Sequence, residues 1–242
     1  MKRAYFRFFD DLEDLLPLSK RGKEINCNFN GNQSIKHLIE SLGVPHTEIG
    51  QIIVNRGTVD TSYLVQDGDL VEVLPAGSDP HQGDLLKEDG IKFILDSHLG
   101  KLAAYLRMLG FDTLYRNDYE DHQLADVAEM EGRILLSRDR RLLMRKQVQA
   151  GYCVRKHNPQ DQLKDVLNRF RLYSHIRPFQ RCIRCNARLE KVSKEQVLDM
   201  LEPLTKLYYS SFSICPACRQ VYWPGSHYEH MQRMIQKFIA KD

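Results

Sequence analysis

Two cysteine pairs share one spacing, Cys182-Ile183-Arg184-Cys185 and Cys215-Pro216-Ala217-Cys218, in a chain of 242 residues. Thiolates three positions apart can converge on one cation, and two such pairs supply the four sulfur ligands of a closed, structural Zn2+ site. A thioredoxin-type redox pair competes poorly with this reading, because two pairs in one short region favour a metal. His227 and His230 could ligate only in place of a cysteine; with four cysteines at hand they are expected near the start of a helix. The 29 residues between the pairs exceed the roughly 15–20 of common ribbon spacings. The excess reads as an inserted helix, capped by Ser193 and carrying Val197, Leu198, Leu201 and Leu204. Its added loop length costs little once a metal closes the loop. Cys27 and Cys153 stand alone.

A second constellation is acidic. Asp96 follows the apolar run Ile91-Lys92-Phe93-Ile94-Leu95, and Asp139 follows Ile134-Leu135-Leu136-Ser137-Arg138. Ligands of parallel α/β sheets gather beyond the carboxyl ends of the strands. If these two strands are neighbours, both carboxylates project into one crevice. Asp121, or Asp118 just before it, sits at the start of a helix opening toward the same edge, and Glu129 is a further candidate. Crowded carboxylates repel unless a cation lies among them. An all-oxygen set suits Mg2+ or Mn2+, ions that activate water and neutralise a leaving oxygen in phosphodiester cleavage. The competing reading is that an Asp after a strand caps a helix or closes a turn, and for Asp121 a cap is the plainer assignment. Arg107 follows the apolar stripe at Leu106. It is read either as pairing with a site carboxylate or reaching a phosphate, or as an ordinary helix-surface arginine. Arg138 is a further candidate for phosphate contact.

The elements that must hold these groups follow from periodicity. Residues 91–175 alternate strand and helix: a strand over Ile91–Leu95, a helix with Leu99, Leu102, Ala103, Leu106 and Leu109 on one stripe stopped by Gly110, a strand over Phe111–Tyr115, a helix started by Asp121 and stopped by Gly132, a strand over Arg133–Ser137, and a fourth over Tyr152–Val154. Strands separated by helices imply parallel order. Residues 176–242 hold the cysteine pairs, an aromatic stretch and a C-terminal helix from Tyr228 to Ala240. Residues 1–76 read as strand, strand, helix and short strands, with Ala4, Phe6 and Phe8 on one strand face and Ser34 capping a helix that carries Ile35, Leu38, Ile39 and Leu42. Residues 77–90, rich in small, polar and breaker residues, read as a linker.

Charge divides the chain in the same way. Residues 1–90 carry 9 Lys+Arg against 15 Asp+Glu, a balance of −6, and the remainder carries 26 against 17, or +9. The excess is densest from Arg140 to Lys191, with 14 basic and 3 acidic residues, which points to a polyanionic partner such as a nucleic acid; the plainer reading is a soluble, arginine-rich face. Arg181, Arg184 and Arg188 interleave with the first cysteine pair, and Tyr208, Tyr209, Phe212, Tyr222 and Trp223 surround the second. Basic residues beside aromatics can grip phosphates and stack unpaired bases; as readily, Phe212 and Tyr222 form a small core. No stretch approaches the roughly 18 apolar residues of a membrane span, and the N-terminus lacks an apolar signal-peptide centre. A cytoplasmic protein is expected.

Two resemblances sharpen these expectations. The turn Val54-Asn55-Arg56-Gly57 and the ending Asp67-Gly68-Asp69-Leu70-Val71-Glu72-Val73-Leu74-Pro75 resemble the β-grasp fold in its ubiquitin-like, sulfur-carrier branch. A working carrier needs a free Gly-Gly terminus, whereas Ala76-Gly77-Ser78 runs on, so the domain is read as a docking module for a protein partner; a carrier released by proteolysis is the lesser reading. The segments Phe93-Ile94-Leu95-Asp96, Leu99-Gly100-Lys101-Leu102-Ala103-Ala104-Tyr105-Leu106-Arg107-Met108-Leu109-Gly110-Phe111-Asp112 and Glu131-Gly132-Arg133-Ile134-Leu135-Leu136-Ser137-Arg138-Asp139, with the paired cysteines, resemble the Mut-seven C-terminal RNase domain. That family is a PIN-like nuclease with a zinc ribbon, and a ubiquitin-like N-terminal domain is a known companion of it. The resemblance implies an α/β and α+β chain: a β-grasp domain, a PIN-like parallel-sheet domain over 91–175, and a zinc ribbon with a C-terminal helix. It implies catalytic acids at Asp96 and Asp139, a middle acid at Asp121, Asp118 or Glu129, and a metal-dependent ribonuclease. The alternative is a non-catalytic RNA-binding or ribosome-associated adaptor with a degenerate acidic cluster.

Overall fold

The computed structural model describes residues 1–77 and 90–239, so most of the expected linker, 77–90, and Ala240 at the expected helix end lie outside the described residues. In chain order the first strands and helix are β1 (Lys2–Phe8), β2 (Ile25–Phe29), α1 (Ile35–Ser41), β3 (Ile49–Val54), β4 (Gly57–Val59) and β5 (Leu70–Pro75). Then come β6 (Lys92–Leu95), α2 (Gly100–Met108), β7 (Asp112–Tyr115), α3 (Asp121–Glu131), β8 (Ile134–Ser137), α4 (Arg140–Leu143), β9 (Gly151–Cys153) and α5 (Pro159–Arg169). The remainder is β10 (Glu190–Val192), α6 (Lys194–Val197), α7 (Pro203–Tyr208), β11 (Phe212–Ile214), β12 (Val221–Tyr222) and α8 (Ser226–Ile239). No described helix is long and apolar enough to cross a membrane.

The N-terminal strands form a mixed sheet in the order β2-β1-β5-β3-β4, with β1 parallel to β5 and the other pairs antiparallel. The strand period of two sends Ala4, Phe6 and Phe8 inward together with Val71, Val73, Ile52 and Val54. Helix α1 starts at Ser34, whose hydroxyl accepts from the His37 N–H at 3.3 Å, and adds Ile35, Leu38 and Ile39 to that core. The expected turn lies at Asn55 and Arg56, both left-handed, with φ of 50° and 72°.

The chain divides into two compact units that do not follow its linear order: residues 1–98 with 118–155, and residues 99–117 with 156–242. In the first, β6, β8 and β9 pair in parallel, with Phe93 opposite Ile134 and Leu135 opposite Gly151. All four residues of β8 are buried. A parallel strand covered on both faces must be apolar throughout, which is why this run lacks the alternation of β1. Helix α3 begins with a capping box between Glu120 and Gln123, so Glu120 and not Asp121 is the cap, and it closes at Gly132 in the left-handed region.

In the second unit, α2 buries Leu102, Ala103, Leu106 and Met108 and packs on α5. Gly110, at φ 97°, ends that helix; a Cβ there would run into the Arg177 carbonyl. Strands β10, β11 and β12 form an antiparallel sheet over a small core of Val197, Leu201, Phe212, Ile214 and Val221. The expected single helix from Ser193 through Leu204 is broken. Ser193 does start a helix, with Gln196 completing its capping box, but α6 gives way to a 3-10 turn over Leu198–Met200. Pro203 then opens α7, because proline cannot continue a helix yet suits the first position of one. Leu204 is exposed as a result. His227 and His230 fall in the first turns of α8.

Candidate functional site

The four paired cysteines are brought together: one ligand atom of each lies within 4.8 Å of all the others. Cys182 Sγ is 3.5 Å from Cys218 Sγ, and Cys185 Sγ is 3.3 Å from Cys215 Sγ. Four thiolates about 2.3 Å from a tetrahedral Zn2+ have edges of roughly 3.8 Å, so this donor set fits such an ion with small adjustment. The two loops repeat one geometry. The Asn186 N–H donates to the Cys182 carbonyl and the Arg219 N–H to the Cys215 carbonyl, both at 2.9 Å, while Asn186 and Arg219 are both left-handed. Each turn thereby folds its two sulfurs to one side.

The thiols are unequal without a metal. Burial alone pushes Cys182 up, but hydrogen bonds from the Tyr222 hydroxyl and the Cys185 N–H outweigh it and bring the thiol down to about 7. Cys185 is pushed up to about 12 by burial and by hydrogen bonds shared with the neighbouring sulfurs. A cation that binds all four sulfurs must displace the protons they carry, so its affinity depends on pH.

A buried arginine fastens the first loop. Arg107, 4% exposed, donates from Nε to the Thr113 carbonyl at 2.9 Å and from Nη1 to the Ile183 and Arg184 carbonyls at 3.1 and 2.9 Å. Burial lowers its pKa, opposed by the nearby Cys185, Cys182 and Asp112 charges. Read from sequence as meeting a site carboxylate or a phosphate, Arg107 instead braces the loop between Cys182 and Cys185. Asn186 works beside it, accepting from the Thr113 N–H and donating to Asp112, both at 2.9 Å. Arg181 pairs with Asp112 at 3.1 Å and donates to the Asn186 carbonyl, and Arg184 donates to Gln220. Arg188 is exposed. Tyr222 bonds Cys182 and the Ile183 N–H through its hydroxyl, while Phe212 is core.

At the carboxyl edge of β6 and β8, Asp96 and Asp139 meet through one hydroxyl. Ser137 Oγ donates to Asp96 Oδ2 at 2.5 Å and accepts the Asp139 N–H at 2.9 Å. Asp96, only 7% exposed, also accepts the Arg138 N–H on Oδ2 and the His98 N–H on Oδ1. Of the roughly four lone-pair directions of a carboxylate, three are thereby taken. Asp139 caps α4, with Oδ1 accepting the Arg141 N–H at 2.7 Å; its Oδ2 has no partner among the described residues. The Asp121 and Glu129 side chains are exposed and equally unpartnered among the described residues, and Asp118 is exposed in the turn before α3. Among the described residues the four cysteines are the one group of three or more Cys, His, Asp or Glu whose ligand atoms gather within 4.8 Å. An ion at Asp96 and Asp139 would therefore keep several waters, the usual habit of Mg2+.

Sequence reasoning missed the charged seam beside this edge. Glu48, fully buried, accepts the Cys153 N–H at 2.5 Å and an Arg155 N–H at 3.1 Å. Arg155 also pairs with Asp11 at 3.3 Å, and Arg140 Nη1 donates to the Leu15 and Gly43 carbonyls at 2.6 and 3.3 Å. His46 bridges Glu40 and the Val148 carbonyl. The N-terminal sheet domain thus docks on β9 and on α4, the helix Asp139 caps. Glu48 sits in Pro45-His46-Thr47-Glu48, which reads as an ordinary polar turn. No local pattern distinguishes a glutamate whose partners lie about a hundred residues away.

A family model described as the Mut7-C RNAse domain matches residues 91–235. A second, described as Mut7-C ubiquitin, matches residues 1–79. No curated protein and no solved structure matches.

Proposed function

Because the chain belongs to the Mut7-C RNAse domain family, we propose that it is a metal-dependent ribonuclease that cleaves RNA phosphodiesters at the carboxyl edge of its parallel sheet. The observation that carries this reading is the sharing of Ser137 Oγ by Asp96 and Asp139 at the ends of two paired strands. Asp96 is the fixed member, oriented by three donors, and Asp139 offers the open oxygen. Asp121, Asp118 and Glu129 are the acids from which a third contribution would come. Mg2+ or Mn2+ held by Asp96 and Asp139 supplies charge neutralisation at a phosphate and a more acidic water. The cysteine cluster binds structural Zn2+ and stays outside the chemistry, since closed four-thiolate sites leave no position for substrate. RNA is gripped by the basic excess from Arg140 to Lys191.

Incubating the zinc-loaded chain with single-stranded and structured RNA, in Mn2+ and then in chelator, tests the reading. Cleavage that requires the added ion and falls on Asp139→Asn supports it. A second reading, a non-catalytic RNA-binding protein, is favoured by one observation: Asp139 Oδ1 already caps α4. It predicts RNA binding without cleavage and an Asp139→Asn variant that behaves as wild type, since asparagine caps as well.

A further inference from the structure

The second unit contains a half-open cavity of about 590 Å3, inside the roughly 300–1,000 Å3 range of small-ligand sites. Its walls are aromatic: Phe179, Tyr209, Phe212, Tyr222, Trp223 and Tyr228 all line it. Two of its polar groups converge. A Cβ placed on Gly225 would lie 2.8 Å from Trp223 Nε1 and 3.6 Å from the Tyr209 hydroxyl, so both stand beside the same glycine. Neither group has a hydrogen-bond partner among the described residues. A donor next to a donor-acceptor, in a cavity lined by aromatic residues, is the equipment that reads the edge of a flat heteroaromatic ring.

Backbone strain adds an independent observation. Phe179 is left-handed, at φ 60°, a conformation that costs a bulky residue energy. The strand of contacts around it holds it there: its N–H donates to the Met108 carbonyl at 2.9 Å, and its ring lies 4.3 Å from that of Tyr228. The strained residue thus sets an aromatic wall of the cavity. Charge completes the picture. Residues 177–188 hold four arginines and no acid. The guanidinium groups of Arg188 and of Arg219, neighbour of the lining residue Gln220, are exposed and unengaged among the described residues.

We infer that this cavity receives an unpaired nucleobase of an RNA strand, with Arg188 and Arg219 meeting the flanking phosphates. The substrate class this assigns is single-stranded RNA, or a structured RNA with a splayed base; a blunt duplex presents no base to the cavity. The inference rests on RNA being the partner proposed above. It also ties recognition to the metal, because the Tyr222 wall is bonded through its hydroxyl to Cys182.

Trp223 is the single tryptophan of the chain, so its emission reports the cavity directly. The zinc-loaded full chain is titrated with a short unstructured RNA, a blunt RNA duplex and inorganic polyphosphate, following both Trp223 emission and the anisotropy of labelled RNA. Saturable quenching by the unstructured RNA alone is expected. Phe179→Gly removes a ring while relieving the left-handed strain, so the fold is kept, as zinc content and melting verify. It should weaken binding of the unstructured RNA roughly 5- to 100-fold, the effect of one lost stacking partner. Anisotropy showing RNA bound without quenching, or polyphosphate quenching equally, overturns the cavity assignment and leaves RNA as the partner. No binding of any RNA overturns both.

Discussion

Glu48→Ala should loosen the seam between the N-terminal sheet and the parallel sheet. The Cys153 N–H, in a buried strand, loses its acceptor, a loss of about 1–3 kcal/mol. Breaking a buried ion pair from one side costs roughly 3–5 kcal/mol. That figure is too large here, because the Arg155 side chain is 18% exposed and keeps Asp11 at 3.3 Å; its share falls to about 1 kcal/mol. The sum is about 2–4 kcal/mol, or a Tm lowered by roughly 5–15 °C for a chain of this size. The assay is thermal unfolding together with mass-spectrometric mapping of thiol alkylation. Cys153 is 5% exposed and its thiol is pushed up to about 11, chiefly by burial and then by the Glu48 carboxylate. It should therefore resist alkylation at neutral pH in the wild type and label several-fold faster in Glu48→Ala, while Cys27 labels at the same rate in both. A Tm within about 1 °C of wild type, with Cys153 equally protected, would refute the docking energetics, since a change that small is ordinary for a surface substitution.

Further expectations concern other groups. The Cys153 thiol, raised above its ordinary 9.0, keeps its proton in the native state, so its contribution to stability is full below pH 9 and is lost as pH rises from there through about 11. Cys153→Ala should lack that part of the alkaline loss in urea unfolding at pH 7.5, 9 and 10.5. Arg107→Met deletes three hydrogen bonds, one to a carbonyl of β7 and two to carbonyls of the loop between Cys182 and Cys185, and should cost about 3 kcal/mol and lower zinc affinity. Arg107→Lys should not restore it, because one ammonium cannot span the fork; competition with a chromogenic chelator measures both. Removing the metal should unfold residues 176–225 while leaving the N-terminal sheet intact, as read by hydrogen exchange. Protection that persists around Phe212 and Ile214 without metal would contradict this.

Patterned stretches were the legible part of the fold. The inward set Ala4, Phe6 and Phe8, the α1 stripe and the continuous apolar run of β8 follow from period and burial alone, and each is found as expected. So does the cysteine cluster, whose chemistry tolerates few other arrangements. What escaped was set by partners far away in sequence. Arg107 and Arg138 look alike on paper, yet Arg107 is buried between the Thr113 carbonyl of β7 and two carbonyls of the cysteine loop. Glu48 reads as a solvated turn and is the buried anchor of a domain contact. The break after α6 was visible in Pro203, but the hydrophobic spacing across it read as one helix. The pairing of β6 with β8 that brings Asp96 and Asp139 together could be stated only conditionally, because order within a parallel sheet is decided by crossovers.

The most direct measurement is cleavage of end-labelled, unstructured RNA by the zinc-loaded wild-type chain, Asp96→Asn and Asp139→Asn, each in Mn2+ and in chelator. Asp96 and Asp139 acting together at the sheet edge predict cleavage by wild type in Mn2+ alone, lowered at least 100-fold in both variants while each binds RNA as before. Wild-type rates in either variant, or cleavage that survives chelation, would contradict the site.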